Sequence, residues 1–122
     1  MKIYCYLIIL FFNFTIANSE DFKLTKVIKN LNYPWGSSFI NNSELIITEK
    51  SGKIKLVNID NGSVSEINHN LNFVEYGQGG LLDIIYKDGF IWISYTENRG
   101  NSKTSTSIAK GKFNKEKIFF EN

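Results

Sequence analysis

Glu44-Leu45-Ile46-Ile47-Thr48-Glu49, followed by Lys50-Ser51-Gly52, Lys53-Ile54-Lys55-Leu56-Val57-Asn58-Ile59 and Asp60-Asn61-Gly62, is the stretch that decides the fold. Its first six residues are rich in β-branched side chains and read as a strand. Ser51-Gly52 turns the chain. The next run alternates, with Lys53, Lys55, Val57 and Ile59 on one face and Ile54, Leu56 and Asn58 on the other. That is the period of a strand rather than a helix. Asp60-Asn61-Gly62 signals a hairpin, because Asn-Gly adopts positive φ at low cost. Residues 64–67 then return as a further strand.

The same grammar extends in both directions. Upstream, residues 22–28 alternate apolar and polar, and residues 35–40 form a short apolar run before the turn at Asn41-Asn42-Ser43. Downstream, a loop over residues 68–79 leads into a second set. This set comprises a strand at 81–86, a turn at Lys87-Asp88-Gly89, a strand at 90–95, a polar loop at 97–103, a strand at 104–113 and a last one at 118–120. Past the N-terminal apolar run, no segment carries a helical stripe. The two sets echo each other: Gly36 and Gly80 open their first strands, and Thr48-Glu49 and Thr96-Glu97 close their second. Four-stranded units of roughly 40 residues have the period of propeller blades. The expected fold class is all-β, a β-propeller with about two four-stranded blades present; an eight-stranded sandwich is the competing architecture. A blade cannot bury both faces alone, and closed rings carry about 4–8 of them. The 122-residue sequence is therefore expected to be an N-terminal fragment, its remaining blades coming from a continuation or from another chain.

Composition narrows the class further. The net charge is +2, from 14 Lys and Arg against 12 Asp and Glu, and the basic residues are scattered, which gives no nucleic-acid footprint. A hydrophobic share of 43% and an aromatic share of 15% suit a packed core. Lys2 followed by the apolar residues 3–12, and then Thr15-Ile16-Ala17, reads as a signal peptide over residues 1–17, cleaved after Ala17. An uncleaved N-terminal anchor is the alternative, but the run is shorter than the ~20 residues a spanning helix needs. Residues 18–122 would then be periplasmic or secreted, with no membrane span. Cys5, the only cysteine, falls inside the signal, so the mature chain folds without a disulfide.

Several segments resemble the glucose/sorbosone dehydrogenase family, the soluble PQQ-dependent sugar dehydrogenases. Leu31-Asn32-Tyr33-Pro34-Trp35-Gly36 is similar to that family's Leu-x-x-Pro-Trp-Gly opening. Leu45-Ile46-Ile47-Thr48-Glu49-Lys50-Ser51-Gly52-Lys53-Ile54 resembles its Leu-x-Val-Thr-Glu-Arg-x-Gly-x-Ile segment, with Lys50 where Arg is common. Lysine there forgoes a planar bidentate contact. Gly77-Gln78-Gly79-Gly80-Leu81-Leu82-Asp83 matches the family's signature unchanged, while the turn after it, at Lys87-Asp88-Gly89, is shorter than usual. Residues 90–95 and Ser107-Ile108-Ala109-Lys110-Gly111 resemble the strands that follow. The resemblance implies a six-bladed propeller that oxidises an aldose sugar at its anomeric carbon and passes hydride to pyrroloquinoline quinone (PQQ), with calcium bound in later blades. The family's Asp-His-x-Ser-Gly-Arg motif, whose His is the base, does not occur in this sequence. The chain alone is accordingly expected to be inactive.

The resemblance carries over one pocket residue, Gln78, whose amide can donate to one sugar oxygen and accept from another hydroxyl. Its neighbours Gly77 and Gly79 allow close approach to a ligand. An ordinary Gly-rich turn is the plain alternative. His69, the only His, reads as a solvated loop residue between two asparagines rather than a base. Trp35 and Trp92 read as core. Glu49, Glu75 and Asp83 lack metal-ligand spacing, and Lys50, Lys53 and Lys55 read as a solvated or edge-protecting face. Two other functional readings stand beside the enzyme: a propeller-type binding or scaffold module without catalysis, and a non-functional truncation.

Overall fold

The computed structural model describes residues 22–121. The signal-peptide reading of residues 1–17 lies outside them. Among the described residues there are nine strands and no helix: β1 (Pro34–Phe39), β2 (Glu44–Glu49), β3 (Ile54–Asn58), β4 (Val64–His69), β5 (Leu81–Lys87), β6 (Phe90–Asn98), β7 (Thr104–Lys112), β8 (Lys117–Ile118) and β9 (Phe120–Glu121). They form two up-and-down antiparallel sheets, β1-β2-β3-β4 and β5-β6-β7-β9, with β8 added in parallel to β4 at the edge of the first. These are two four-stranded blades packed face to face.

The turns account for the register. Asp88 (φ 51°) and Gly89 (φ 81°) are both left-handed, the two-residue hairpin geometry whose twist matches that of the strands it joins. At the other hairpin signal the loop is longer: the Asn58 side chain accepts from Asp60 N and Asn61 N, and Gly62 N donates to Asn58 O at 2.9 Å.

The core lies between the two sheets. Ile46, Ile54, Leu56 and Ile67 from the first meet Leu81, Ile84, Ile91, Ile93, Tyr95 and Ala109 from the second. Alternation puts these on one face of each strand, except in β5, where a register irregularity between Leu81 and Ile84 brings both to the same side. Ile47 and Val57 are also buried, on the opposite face of the first sheet.

The first strands of the two blades touch most intimately. A Cβ built on Gly36 would lie 2.7 Å from Asp83 Cα, so glycine is what lets β1 and β5 close. Beside it Thr48 is fully buried; its hydroxyl donates to Leu82 O at 2.5 Å and accepts from Gly36 N at 3.0 Å. Tyr86 N donates to Ser38 Oγ at 3.0 Å across the same seam. At the far end Lys115 reaches Glu44, and that ammonium, with the Asn41 amide, holds the Glu44 carboxyl below its ordinary range. Thr48→Val keeps the shape of the seam but strips a partner from the buried Gly36 N–H and from the part-buried Leu82 carbonyl. The expected cost is about 1–3 kcal/mol, read by chemical denaturation.

Four readings of the sequence are corrected. Residues 22–28 alternate but form no strand; Phe22 and Leu24 are exposed, because no sheet edge receives them. The polar loop expected from residue 97 begins later, since β6 runs on to Asn98 against β7. The last apolar run splits: Lys117–Ile118 pairs with β4 of the first blade and Phe120–Glu121 with β7 of the second, so this segment staples the blades together. Trp35 and Trp92 are 51% and 43% exposed rather than core, each on the strand face turned away from the inter-sheet packing.

Candidate functional site

The start of β1, the end of β2, the start of β5 and the end of β6 all fall at one end of the molecule. There the loop leading to β5 carries Gly77, Gln78, Gly79 and Gly80. Gly79 N donates to Tyr76 O at 2.7 Å, closing a turn in which Gly77 is left-handed (φ 56°). Gln78 sits exposed on that turn, its amide free to meet solvent or ligand from the open side.

The two glycines after it anchor the turn. A Cβ on Gly79 would come within 2.5 Å of Thr96 Oγ1, and one on Gly80 within 2.1 Å of Lys50 O. Gly80 N donates to Thr96 Oγ1 at 3.2 Å, Thr96 N to Gly80 O at 2.8 Å, and Leu81 N to Lys50 O at 3.3 Å. The loop is thus wedged between the β2–β3 turn of one blade and β6 of the other. Lys50 adds an ion pair to Glu75 at 3.8 Å.

The remaining candidates separate. Glu49 is buried and accepts from Asn32 N at 2.8 Å, fixing the chain as it enters β1. Asp83 accepts from its neighbour Ile84 N at 2.9 Å. Lys53 and Lys55 both pair with Glu66, at 3.3 and 3.7 Å. Among the described residues no three His, Cys, Asp or Glu side chains gather as a metal set.

His69 corrects its sequence reading. It ends β4, half-buried, with Nε2 2.7 Å from Gly52 O and Nδ1 accepting from Leu71 N at 3.2 Å. These contacts require the Nε2–H tautomer. Phe73 and Phe120 pack edge-on against the ring. It is a bracket between blade and loop, with both nitrogens engaged.

What the sequence reading did not give the polar loop after β6 is a place beside the Gln78 turn, which it faces as the β6–β7 hairpin. Its tip, Gly100-Asn101-Ser102, is left-handed at all three residues (φ 74°, 49° and 58°). The Gly-Asn-Ser run was the available signal.

With this geometry in hand, the relatives are informative. The sequence model described as Glucose / Sorbosone dehydrogenase matches residues 31–122. An uncharacterized protein of Synechocystis sp., slr1608, is 30% identical over 115 residues, covering 84% of this chain and 28% of its own length. The aldose sugar dehydrogenase YliI of Escherichia coli is 28% identical over 88 residues, covering 67% of this chain and 24% of its own. The PQQ-bound aldose sugar dehydrogenase of Streptomyces coelicolor superposes with a TM-score of 0.70 at 20% identity, over 80% of this chain and 31% of that one, a likeness of fold. The chain spans about a quarter to a third of the length of each.

Proposed function

Because this chain belongs to the glucose/sorbosone dehydrogenase family, we propose that it supplies the first two blades of an exported propeller that oxidises aldose sugars with PQQ, and that Gln78, between Gly77 and Gly79, forms one wall of the pocket. The observation that carries this reading is the placement of Gln78: exposed on a turn that is pinned to both blades, at the end where the second hairpin of each blade turns. A flexible amide on a rigid base is what sugar hydroxyls need, since orientation, not mere contact, selects the reacting carbon.

The residues present fit the cofactor along one edge only. PQQ, when bound, supplies the hydride acceptor. Its carboxylates call for several cations, and at this end Lys50 is already paired with Glu75 at 3.8 Å. Gln78 can bind and orient a hydroxyl or a quinone oxygen; proton abstraction and cofactor clamping belong to further blades, from a continuation or another chain. Calcium would likewise be held there. The export reading rests on residues 1–17; among the described residues no helix is long and apolar enough to cross a membrane.

A chimaera tests the reading. Residues 31–121 would replace the matching stretch of the Escherichia coli aldose sugar dehydrogenase. A folded chimaera that reduces dye with glucose only when loaded with PQQ is the expected result; a folded, PQQ-loaded chimaera without turnover overturns it. The 122-residue chain by itself is expected to give no turnover.

A further inference from the structure

The chain from His69 to Leu81 wraps the turn between β2 and β3. At its start His69 Nε2 lies 2.7 Å from Gly52 O. In its middle the Phe73 ring covers Gly52 so closely that a Cβ there would stand 1.9 Å from Phe73 Cζ, and Glu75 reaches Lys50 at 3.8 Å. At its close Leu81 N donates to Lys50 O at 3.3 Å. Gln78 rides on this wrap, three residues before the last of those contacts.

The grips differ in kind. The Lys50–Glu75 pair is open to water, with side-chain exposures of 22% and 48%, and such pairs contribute little. Phe73 supplies contact area without direction. Upstream of Gln78, among the described residues, the hydrogen bond from the wrap to that turn is the one His69 makes. Its other nitrogen turns back on the loop: Nδ1 accepts from Leu71 N at 3.2 Å, two residues on. One ring thus holds the turn of the first blade on one side and the start of the loop on the other.

A neutral imidazole suits this double duty, because it carries one donor and one acceptor on a rigid plane. The plane is itself fixed. Phe73 and Phe120 stand edge-on with centroids 5.9 and 6.5 Å away, and the His69 backbone pairs with Ile118. Asn70 is bonded to Phe120 in both directions, Nδ2 to Phe120 O at 3.1 Å and Phe120 N to Oδ1 at 2.7 Å. From Leu71 the chain runs directly onto β6, where Asn98 N donates to Asn72 O at 3.0 Å and Val74 N to Thr96 O at 2.9 Å. The turn that carries Gln78 begins two residues later, at Tyr76. The place of Leu71 therefore bears on the place of Gln78.

We propose that His69 is a positioning residue for the pocket: without touching substrate, it sets where Gln78 stands by tying the Leu71 amide to the Gly52 carbonyl. The use of that position in sugar oxidation rests on the reading of Gln78 under Proposed function; the coupling of His69 to the Gln78 turn does not. Misplacing an orienting group by only ~1 Å is costly in rate, even when the change lies far from the reacting atoms.

Hydrogen exchange of the 122-residue chain reads the coupling. His69→Phe keeps a flat ring beside Phe73 and Phe120 and deletes both hydrogen bonds. The Leu71 and Gly79 amides should then exchange roughly tenfold faster, while those of the β6–β7 ladder keep their rates. His69→Gln, whose carboxamide both donates and accepts, should restore slow exchange. Acceleration at Leu71 alone overturns the proposal. So does equal acceleration in the β6–β7 ladder, which is a general loss of stability. If His69→Phe does not fold, His69→Asn reads the same coupling: its carboxamide still accepts from the amide two residues on but is too short to meet Gly52 O as well. Activity then reads the purpose. In the PQQ-loaded chimaera, His69→Phe should lower kcat/KM roughly tenfold by itself and add little in the Gln78→Ala background. Equal losses in both backgrounds mean that His69 acts without Gln78, and overturn the positioning role. An unchanged kcat/KM for Gln78→Ala sinks the pocket wall instead, and the exchange rates alone decide the coupling.

Discussion

Gly80→Ala is expected to destabilise the chain by about 2–5 kcal/mol, a large part of the ~5–15 kcal/mol that holds a small domain together. Two effects add. The residue lies at φ 151°, a region L side chains rarely adopt, and its Cβ would stand 2.1 Å from Lys50 O, a backbone atom that cannot rotate away. Left-handed strain costs a non-glycine residue about 1–2 kcal/mol, and overpacking adds about 1–3 kcal/mol. The displaced atoms are the ones that pin the Gln78 turn to the first blade, through Leu81 N to Lys50 O at 3.3 Å. The variant should therefore also loosen the site. Urea denaturation measures the first effect and hydrogen exchange of the Gly79 and Leu81 amides the second. Gly89→Ala serves as control: its φ of 81° carries strain alone, with nothing within 4 Å of the added carbon, so its loss should be the smaller.

Gly36→Ala attacks the seam between the blades by sterics alone. The new methyl would meet Asp83 Cα and Oδ1 at 2.7 Å and Ile84 N at 2.9 Å. Two of those three are backbone atoms of β5, so relief requires the sheets to move apart rather than a side chain to rotate. Separation would break the Thr48–Leu82 and Ser38–Tyr86 bonds in turn. A cost of about 1–3 kcal/mol is expected, a fall in Tm of roughly 4–20 °C for a domain of this size. A melting curve unchanged by Gly36→Ala would mean that β1 and β5 do not approach as described.

Much of the fold was legible because strands with one buried face advertise it. Residues 44–49 and 54–58 were found nearly to the residue, and Asp88-Gly89 fixed the second hairpin through backbone chemistry that few other pairs satisfy. The failures share a cause. Alternation at 22–28 was real but had no partner strand, and pairing is not a local property. Trp35 and Trp92 looked like core because residue type says only that a ring prefers cover; it does not say which face of the sheet receives it. The run at 118–120 divided between two blades because its two halves bond to different sheets, which no window of three residues can record.

The site was legible in part. The Gly-Gln-Gly-Gly run marked a turn, and the structure places it at the junction of both blades, clamped by Thr96 and Lys50. Neither clamp could be read locally: Lys50 lies thirty residues upstream of Gly80 in sequence and Thr96 sixteen downstream. The role of His69 was hidden for the same reason. Its two nitrogens are satisfied by Gly52 O and Leu71 N, and the carbonyl it meets comes from the preceding hairpin.

Gln78 gives the most direct test of the central claim. In the PQQ-loaded chimaera carrying residues 31–121, kcat/KM for glucose is compared between the parent and Gln78→Ala, with Tm recorded for both. An exposed side chain on a turn held by its neighbours' backbone should leave Tm in place. The account predicts a fall in kcat/KM of roughly tenfold, the worth of one to two hydrogen bonds lost from substrate or quinone. An unchanged kcat/KM at unchanged Tm would contradict it, and would reduce the Gly77–Gly80 run to a turn that only joins two blades.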